Sequence, residues 1–297
     1  MNKDKTRSGY VAIVGRPNSG KSTLLNAFLR QELSVVTAKA QTTRNRIQGI
    51  LTHENTQIIF LDTPGILEPK YELQSFMLSE ILTSLRDSDL VLYLIDSERF
   101  NPEELKKSSE ILKANLSEKK LIIALNKIDM RPEAEVKKMM VTLSETIREA
   151  DIIPISALED FNIEKLLEKI SEYLPESPFL YDEAEITDKP EKFFAAEIIR
   201  QKILQMYGEE IPYSVFVDVR EFKEREYGKD FINADIVVER ESQKIIIIGK
   251  KGDKIKSLGE RARKEIEKFL GRQVYLQLFV KIRKDWRKDK NFLKSNF

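Results

Sequence analysis

The stretch that decides the fold is Gly15-Arg16-Pro17-Asn18-Ser19-Gly20-Lys21-Ser22. An apolar run at residues 10–14 precedes it and a helical pattern at residues 23–29 follows, so the order is strand, glycine-rich turn and helix. At this spacing, backbone N–H groups and a helix N-terminus can surround a polyphosphate, which Lys21 can reach while the Ser22 hydroxyl holds Mg²⁺. The stretch predicts a nucleotide site formed by Gly15, Asn18, Ser19, Gly20, Lys21, Ser22 and Thr23.

Composition limits the class of protein. A chain of 297 residues is long for one domain, so two are expected, and with no cysteine it has neither disulfides nor thiolate metal sites. The longest apolar runs are too short to cross a bilayer. We therefore expect a soluble, cytoplasmic protein without a transmembrane segment.

Charge is distributed unevenly along the chain. The net charge is only +1, but Lys and Arg outnumber Asp and Glu by 17 to 6 in residues 244–297. A basic block of this kind suits a nucleic acid or an anionic membrane surface, although a solvated charged face is the simpler explanation of an isolated run.

Short apolar runs bounded by turn residues alternate with helical patterns in the first half. The runs lie at residues 10–14, 57–61, 90–95, 121–125 and 152–155, and the helical patterns at 72–86, 103–113 and 133–149. Strands that are apolar on both faces and separated by helices indicate an α/β fold with a largely parallel sheet and ligands at the strand carboxyl ends. Residues 46–52 alternate instead, which predicts an edge strand.

Two further motifs are placed to meet the phosphates and their metal ion. Asp62-Thr63-Pro64-Gly65 follows the second apolar run, which brings the Asp62 carboxylate near Mg²⁺ and the Gly65 N–H near the γ-phosphate. Residues 41–44, Gln-Thr-Thr-Arg, precede the edge strand and offer a hydroxyl as a second Mg²⁺ ligand.

The base is addressed by two later motifs. Residues 126–129, Asn-Lys-Ile-Asp, end the fourth run, and the Asp129 carboxylate can accept two N–H bonds from a guanine edge but is poorly paired by adenine. Ser156 and Ala157 follow the fifth run and can present a backbone N–H to the guanine carbonyl. Five motifs in this order at successive strand ends predict a guanine-nucleotide-binding G domain.

This set of motifs resembles the translation-factor-like small GTPases of the TrmE, Era and EngA class, over residues 8–175. The resemblance implies Gly15–Ser22 as the phosphate loop, Ser22 and Thr43 as Mg²⁺ ligands with Asp62 acting indirectly, and Asp62–Gly65 as the γ-phosphate sensor. It implies Asn126, Lys127 and Asp129 as base readers. We count Lys21, Thr43 and Gly65 as the catalytic residues, with Thr42 as the alternative to Thr43.

Two positions bear on the rate of GTP hydrolysis. In Ras-like GTPases a glutamine that orients the attacking water follows the glycine of this motif, and here the residue is Ile66. Intrinsic hydrolysis is therefore expected to be slow. In related GTPases an asparagine at the place of Asn18 helps to bind K⁺, so we expect K⁺ to assist hydrolysis, the simpler alternative being that Asn18 only shapes the turn.

The chain beyond residue 175 predicts a linker and a second domain. Residues 175–178, Pro-Glu-Ser-Pro, cannot continue a helix, and residues 176–190 are interpreted as the linker between domains at 1–175 and 191–297. Residues 188–191 suggest a capping box. The pattern that follows is helix, strand 213–220, strand 231–239, an undecided apolar run 244–248, helix 253–270 and strand 273–282.

Gly249-Lys250-Lys251-Gly252 indicates what this domain binds. Its glycines allow a close backbone approach, its lysines suit phosphates, and a helix N-terminus follows. In the order helix, strand, strand, helix, helix, strand, the motif resembles a type II KH domain, a fold that clamps about four single-stranded nucleotides. We also assign to the RNA surface Lys254, Lys281, Arg283 and Trp286, the last either stacking on a base or packing inside the protein.

Taken whole, the chain resembles the Era family of bacterial ribosome-assembly GTPases. The resemblance implies GTP hydrolysis with GTP, GDP and Mg²⁺ as ligands, binding near the 3′ end of small-subunit ribosomal RNA, and a role in maturation of that ribosomal subunit. Two alternatives stay open at this point, a signalling GTPase whose second domain binds a protein or a membrane, and an RNA-dependent enzyme that uses GTP. We expect a monomer, and a peripheral contact with the inner membrane stays open.

Overall fold

The computed structural model describes residues 5–37, 43–116, 119–208 and 211–297. Apart from short segments, the chain forms two compact units, the first ending at Asp188 and the second running from Lys189 to Phe297. Gln41 and Thr42, two residues of a predicted Mg²⁺ motif, lie outside the described residues. The domain limits 1–175, 176–190 and 191–297 stay a prediction.

The first unit alternates strands and helices. Its strands are β1 (Arg7–Gly15), β2 (Ile47–His53), β3 (Thr56–Asp62), β4 (Leu90–Asp96), β5 (Lys120–Asn126) and β6 (Asp151–Pro154), and its helices are α1 (Lys21–Leu29), α2 (Glu72–Asp87), α3 (Pro102–Leu116), α4 (Glu133–Thr146) and α5 (Ile163–Tyr173).

The strands of this unit form one six-stranded sheet in the order β2-β3-β1-β4-β5-β6. All neighbours pair in parallel except β2, which lies antiparallel to β3 at the edge of the sheet. The central strands are buried on both faces, as their continuous apolar sequences require. The α/β fold with a mostly parallel sheet is thereby confirmed, and so is the edge strand.

One helix is shorter than its sequence pattern indicates. The pattern runs over residues 133–149, but α4 ends at Thr146. Ile147 leaves helical geometry with φ −130° and is buried in the core, so the chain turns there towards β6. Core packing of one apolar side chain therefore overrides the helical propensity of the polar residues after it.

Residues 176–188, the greater part of the predicted linker, form a strap that is hydrogen-bonded along the first unit. The Gln57 side chain accepts from the N–H groups of Leu180 and Tyr181 at 2.8 and 3.0 Å and donates to the Tyr181 carbonyl at 3.0 Å. Further along, Ile50 N–H donates to the Ile186 carbonyl at 2.9 Å, and the Thr187 hydroxyl donates to the Gln48 carbonyl at 2.7 Å. The strap therefore follows β3 and β2 closely.

The second unit consists of α6 (Glu191–Met206), β7 (Phe216–Lys223), β8 (Asp230–Val238), α7 (Glu241–Ile248), α8 (Asp253–Leu270), β9 (Val274–Ile282) and α9 (Lys290–Asn296). Its sheet has the order β7-β8-β9, with β7 antiparallel and β9 parallel to β8. Alternate residues of β8 and β9 pack with Ile199, Leu258 and Ala262 of the helices into a separate core. The predicted order of elements is confirmed.

Three local details of this unit differ from the sequence pattern or complete it. The undecided run 244–248 belongs to helix α7. β7 begins at Phe216 rather than residue 213, because Ile211–Tyr213 form a short 3₁₀ turn. The predicted capping box at 188–191 is wrong, because Pro190 is the N-cap of α6 without a side-chain hydrogen bond and Glu191 instead pairs with Arg272 at 2.9 Å. Within the described residues, no helix has the length and apolar character needed to cross a membrane.

Candidate functional site

The phosphate loop joins the end of β1 to the start of α1, and its backbone is tightly enclosed. A Cβ at Gly20, where φ is 98°, would lie 2.3 Å from Asn126 Nδ2, and one at Gly15 would lie 2.5 Å from the Leu94 carbonyl oxygen. Asn18 has a positive φ of 65°, so the turn reverses before the helix begins. The glycines are required here because the loop is pressed against the ends of β4 and β5.

Lys21 extends from the first helical residue back over the loop. Its Nζ donates to the carbonyl oxygens of Gly15 at 3.2 Å and Arg16 at 3.0 Å. Burial lowers the pKa of Lys21 to about 8, against the opposing effect of the Asp62 carboxylate. A nearby anion would stabilise the charged form of this buried ammonium group, and the helix N-terminus also favours negative charge. The position therefore suits a phosphate.

Ser22, Thr43 and Asp62 lie together beside Lys21. Ser22 Oγ donates to Asp62 Oδ2 at 2.8 Å and lies 3.0 Å from Thr43 Oγ1. Asp62 is fully buried, and burial raises the pKa of its carboxyl group, opposed by the charge of Lys21 and by hydrogen bonds from hydroxyls. Its Oδ1 is buried and has no hydrogen-bond partner among the residues described. Two hydroxyls and a carboxylate with an unpaired oxygen fit a hard cation such as Mg²⁺.

Ser34 completes this cluster, and the sequence reasoning missed it. Its hydroxyl donates to Asp62 Oδ2 at 3.0 Å. The Asn26 side chain holds this segment, because Asn26 Oδ1 accepts from Ser34 N at 2.8 Å and Nδ2 donates to the Ser34 carbonyl oxygen at 2.8 Å. A lone serine between Leu33 and Val35 carries no sequence signal for this position, so only the fold reveals it.

The Asp-Thr-Pro-Gly motif rests directly on the phosphate loop. A Cβ at Gly65 would lie 2.6 Å from Pro17 N, so no larger residue fits there without displacement of the backbone. Ile66 N–H donates to the Gly15 carbonyl at 2.9 Å, and the Ile66 side chain is buried in the core. Ile66 therefore packs inside the protein and offers no polar atom for orienting water.

Asn126 joins the loops around the predicted base site. Its Nδ2 donates to the Ser19 carbonyl at 2.9 Å and its Oδ1 accepts from Ala157 N at 2.9 Å. Both ends of the Asn126 amide hold the protein backbone here, and its role as a direct reader of the base stays a prediction. The Ala157 N–H is likewise engaged in this structure, and Ser156 N–H donates to the Phe161 carbonyl at 3.2 Å.

Lys127 and Asp129 follow the end of β5, and their role as base readers stays a prediction. Lys127 has a φ of 64°, and its Nζ pairs with Asp96 at 2.7 Å. Asp96, at the end of β4, is a second residue that the sequence reasoning missed. Asp129 is exposed, and no hydrogen bond or ion pair engages its carboxylate within the part of the chain that the structure describes. That carboxylate can accept hydrogen bonds from a ligand.

In the second unit, Gly249–Gly252 form a tight turn between α7 and α8. Gly249, Lys251 and Gly252 all have positive φ, at 74°, 53° and 83°. Lys250 and Lys251 are exposed, as is Lys254 in the first turn of α8. Before the turn, Ile245 and Ile246 are 63% and 44% exposed, although a run of four isoleucines indicates burial. An apolar surface thus adjoins a basic turn, a combination that suits bases beside phosphates.

The predicted basic residues of β9 lie at the same end of the unit. Gly259 of α8 opposes Leu278 of β9, with 3.7 Å from a Cβ there to Leu278 Cδ1, so the helix runs back along the strand. The start of α8 therefore lies towards the end of β9, where Lys281 and Arg283 are exposed. Arg283 is partly engaged, because it pairs with Asp289 at 2.7 Å.

Trp286 does not belong to the RNA surface to which the sequence assigned it. Its side chain is fully buried, its Nε1 donates to the Ser214 carbonyl at 3.0 Å, and its ring lies 5.8 Å from the rings of Phe216 and Phe292. The prediction that Trp286 stacks on a base is wrong in this fold, because its ring is enclosed by the protein's own aromatic side chains.

Two family models match the chain, one in each unit. A model described as a 50S ribosome-binding GTPase matches residues 10–127, and a KH domain model matches residues 210–287.

Similar proteins and structures cover nearly the whole chain. A GTPase Era from Clostridium botulinum is 44% identical over 97% of both chains, and one from Clostridium kluyveri is 43% identical over 97% of this chain and 98% of its own. A crystal structure of Era with MgGDPNP and nucleotides 1506–1542 of 16S ribosomal RNA has a TM-score of 0.92 at 41% identity over 98% of both chains. An Aquifex aeolicus Era variant bound to GDP and AlF4⁻ has a TM-score of 0.93 at 41% identity, over 98% of this chain and 99% of its own.

Proposed function

This chain belongs to the Era family of GTPases, and from this premise we propose that it hydrolyses GTP in its first unit and binds small-subunit ribosomal RNA near the 3′ end with its second. The observation that carries the proposal is the cluster of Lys21, Ser22 and Asp62 at the phosphate loop, in one chain with a glycine-framed basic turn. We propose that the protein acts in assembly and maturation of the small ribosomal subunit.

For the nucleotide, we propose that the loop from Gly15 to Ser22 holds the phosphates, with its N–H groups and Lys21 as donors and Thr23 in the first turn of α1. Ser22 and Thr43 would hold Mg²⁺, and Asp62 would act through the hydrogen bond that it already accepts from Ser22. Mg²⁺ supplies positive charge to the phosphate oxygens. Gly65 would offer its N–H to the γ-phosphate from its position against the loop.

For the base, we propose that Asp129 selects guanine and that Asn126 positions the site. Lys127 is held along the site by its ion pair with Asp96. The Ala157 N–H donates to Asn126 Oδ1, and this hydrogen bond holds the loop at Ser156 and Ala157 in place. We propose that the loop in this position forms one wall of the base site.

For hydrolysis, we propose a slow intrinsic rate, since Ile66 is buried and cannot orient the water that attacks the γ-phosphorus. K⁺ beside Asn18 is proposed as a further source of positive charge for the transferred phosphoryl group. The test compares hydrolysis rates in KCl and NaCl at matched ionic strength. A faster rate in KCl that Asn18→Ala removes is the expected result, and equal rates of the unmodified protein in the two salts would contradict it.

For RNA, we propose that Gly249–Gly252 clamp the backbone, with Lys250, Lys251 and Lys254 near phosphates and Ile245 and Ile246 under the bases. Lys281 and Arg283 would extend this surface electrostatically. Trp286 is left out because it is buried.

We further propose that nucleotide state controls RNA binding by population shift. The γ-phosphate and Mg²⁺ would order the segment containing Thr43 and the segment after Gly65, which favours an RNA-accessible state, and hydrolysis would release both. A non-hydrolysable GTP analogue should then raise the affinity for RNA relative to GDP.

The test is binding of a short RNA from the 3′ end of small-subunit rRNA, against a scrambled RNA, with a GTP analogue or with GDP. Gly252→Asp should abolish specific binding because it brings negative charge to the clamp. Gly271→Asp is the matched control, since Gly271 also has a positive φ, open surroundings and a place at the opposite end of α8. Loss in both variants, or no loss in either, would contradict an RNA site at Gly249–Gly252, and equal affinity in the two nucleotide states would contradict the coupling alone.

We propose that the protein acts as a monomer in the cytoplasm, where ribosomal subunits are its partner, with a peripheral inner-membrane contact as the alternative placement. Sedimentation of the purified protein and fractionation of cells test these two statements. The structure offers no observation that favours a signalling role over RNA binding.

A further inference from the structure

The sheet of the second unit has one face packed on helices of the core, and its other face is open except near Phe216, where Phe292 of α9 and Phe297 pack. Along β9, Val274 and Val280 are buried on the helix side, whereas the intervening residues on the other side are exposed or half-buried. We call this open side the aromatic face, formed by Phe231, Asn233, Tyr275, Gln277, Phe279 and Lys281.

Two aromatic positions are presented on this face. Tyr275 is 51% exposed and stacks against Phe231 of the neighbouring strand, with ring centroids 6.0 Å apart and planes 19° from parallel. Phe279 is 46% exposed and lies four residues further along β9. At the usual rise of a strand the two positions are about 13 Å apart, a distance that two nucleotides of an extended single strand can span. Large aromatic rings so exposed on one strand are costly unless they meet a partner.

A cationic side chain lies over a ring at each of the two aromatic positions. The Arg225 guanidinium lies over the Phe231 ring at 5.9 Å, and Lys281 Nζ lies over the Phe279 ring at 5.8 Å. Two acidic neighbours share one arginine, because Arg220 pairs with Asp218 at 2.8 Å and reaches Asp235 at 3.9 Å. Rings paired with cations favour a partner that has both flat aromatic groups and negative charge, which describes RNA bases on their phosphate backbone.

Side-chain amides lie between the two aromatic positions. Asn233 and Gln277 are register partners on β8 and β9, midway between the pair at Phe231 and Tyr275 and the pair at Asp235 and Phe279. Amides can donate to and accept from the edges of bases. The alternation of ring, amide and ring therefore suits splayed single-stranded bases.

We propose that the aromatic face is a second single-stranded RNA surface that stacks two bases outside the clamp proposed at Gly249–Gly252, which we call the groove. β9 is one of the two edge strands of the sheet, so a strand of RNA that leaves the groove along β9 meets this face next. This inference rests on the proposed RNA binding of the second unit and extends the length of RNA that the unit recognises.

The experiment measures the affinity of the full chain for two RNAs by fluorescence anisotropy. The short RNA, of about four nucleotides, fills the groove alone, and the long RNA of about ten extends it in both directions. Phe279→Ala and Tyr275→Ala should each weaken the long RNA by about 5- to 100-fold, the range of one base–aromatic stack, and leave the short RNA unchanged. Tyr275→Phe, which retains the ring, should bind the long RNA normally.

Tyr227→Ala is the matched control, because Tyr227 is an aromatic residue 89% exposed in the turn between β7 and β8. A long RNA that binds Phe279→Ala, Tyr275→Ala and Tyr227→Ala equally well would overturn the proposal. The proposal would also be overturned if Phe279→Ala and Tyr275→Ala bound the long RNA normally but associated more weakly with ribosomal subunits. That result would identify a protein as the partner of the aromatic face.

The two proposals fail differently. If the short RNA does not bind, or Gly252→Asp leaves its binding unchanged, the proposed RNA site at Gly249–Gly252 is contradicted. If the short RNA binds but the long RNA gains no affinity from Tyr275 and Phe279, only the proposal of a second RNA surface on the aromatic face is contradicted. Tyr227, Tyr275 and Phe279 are exposed and Gly252 is half-buried in a turn, and circular dichroism with thermal melting verifies that the variants fold.

Discussion

At the scale of single residues, Asn126 joins two loops of the proposed nucleotide site. One amide holds the phosphate loop at Ser19 and the loop at Ala157 together. Its neighbour Gly20 must be glycine because the same Nδ2 atom occupies the space of a Cβ. The two motifs that the sequence separates by about a hundred residues therefore form one unit of structure.

We expect Asn126→Ala to weaken GDP and GTP binding by about 10- to 100-fold, because two buried backbone groups lose their partners and the two loops separate. Titration with a fluorescent guanine nucleotide measures the change. Asn101→Ala is the control, since the Asn101 side chain serves only the start of α3, where it accepts from Glu103 N at 2.9 Å. Unchanged affinity in Asn126→Ala would show that other contacts fix the site.

Asp230 allows a pH-dependent prediction in the second unit. Burial alone would raise its pKa, but the Arg272 guanidinium and the Arg225 N–H, which donates at 2.9 Å, bring the pKa below the ordinary value of 3.8. A folded-state pKa that is lowered stabilises the fold above the unfolded pKa, and this contribution is lost as pH falls through the folded value.

Asp230→Asn should therefore lower the free energy of unfolding of the second unit by about 1–3 kcal/mol near neutral pH, with the difference from the unmodified protein declining from about pH 4 downward and vanishing only below the lowered folded pKa. Urea denaturation over a pH series measures it. Asp285→Asn, at a carboxylate 75% exposed, should have little effect at any pH. A difference for Asp230→Asn that persists undiminished in acid would contradict the charge-based explanation.

At the scale of elements, the strap at residues 176–188 differs most from its sequence. Its one proline and its acidic residues predict a linker, yet Gln57 alone makes three hydrogen bonds to it and β2 makes two more. β2 follows closely on Thr43 along the chain, so the strap is attached to the strand beyond a proposed Mg²⁺ ligand. A bound strap loses the independent motion of a flexible tether.

Gln57→Ala should release the central part of the strap, because three backbone groups of Leu180 and Tyr181 lose their only side-chain partner there. Hydrogen exchange of residues 176–188 should accelerate about tenfold or more, which corresponds to an opening free energy lower by about 1–2 kcal/mol. Gln31→Ala, at an exposed glutamine, is the matched control. Exchange as slow as in the unmodified protein would mean that the attachments at Ile186 and Thr187 suffice.

Helix α7 is a second element whose exposed side chains the sequence pattern did not predict. Its four isoleucines indicate a buried strand or helix, and only the packing of Ile247 into the core determines which side chains remain outside. Ile245 and Ile246 then face solvent beside the glycine-framed turn.

For the whole molecule, the two units have separate hydrophobic cores and separate proposed ligands. A ligand that binds only the folded state stabilises the unit that holds it, by about 2.7 kcal/mol at a hundredfold excess over Kd. GDP with Mg²⁺ should thus raise the melting temperature of the first unit by about 5–10 °C, and RNA should raise that of the second.

Calorimetry of the full chain with each ligand, and after Mg²⁺ removal with a chelator, measures these shifts. Lys21→Ala should lose the nucleotide effect and keep the RNA effect, and Gly252→Asp should do the reverse. A single transition that both ligands move equally would show that the units unfold as one.

By itself, the sequence determined the features that depend on neighbours along the chain. Strands apolar on both faces, the strand–turn–helix order at Gly15–Ser22 and the glycine-framed turn before α8 follow from local spacing and backbone geometry. Only the tertiary structure decided how distant residues meet. Ser34 joins Asp62, Gln57 holds the strap, and Trp286 is buried against Ser214, which is 72 residues away along the chain. Such contacts arise from packing in three dimensions, and sequence spacing carries no record of them.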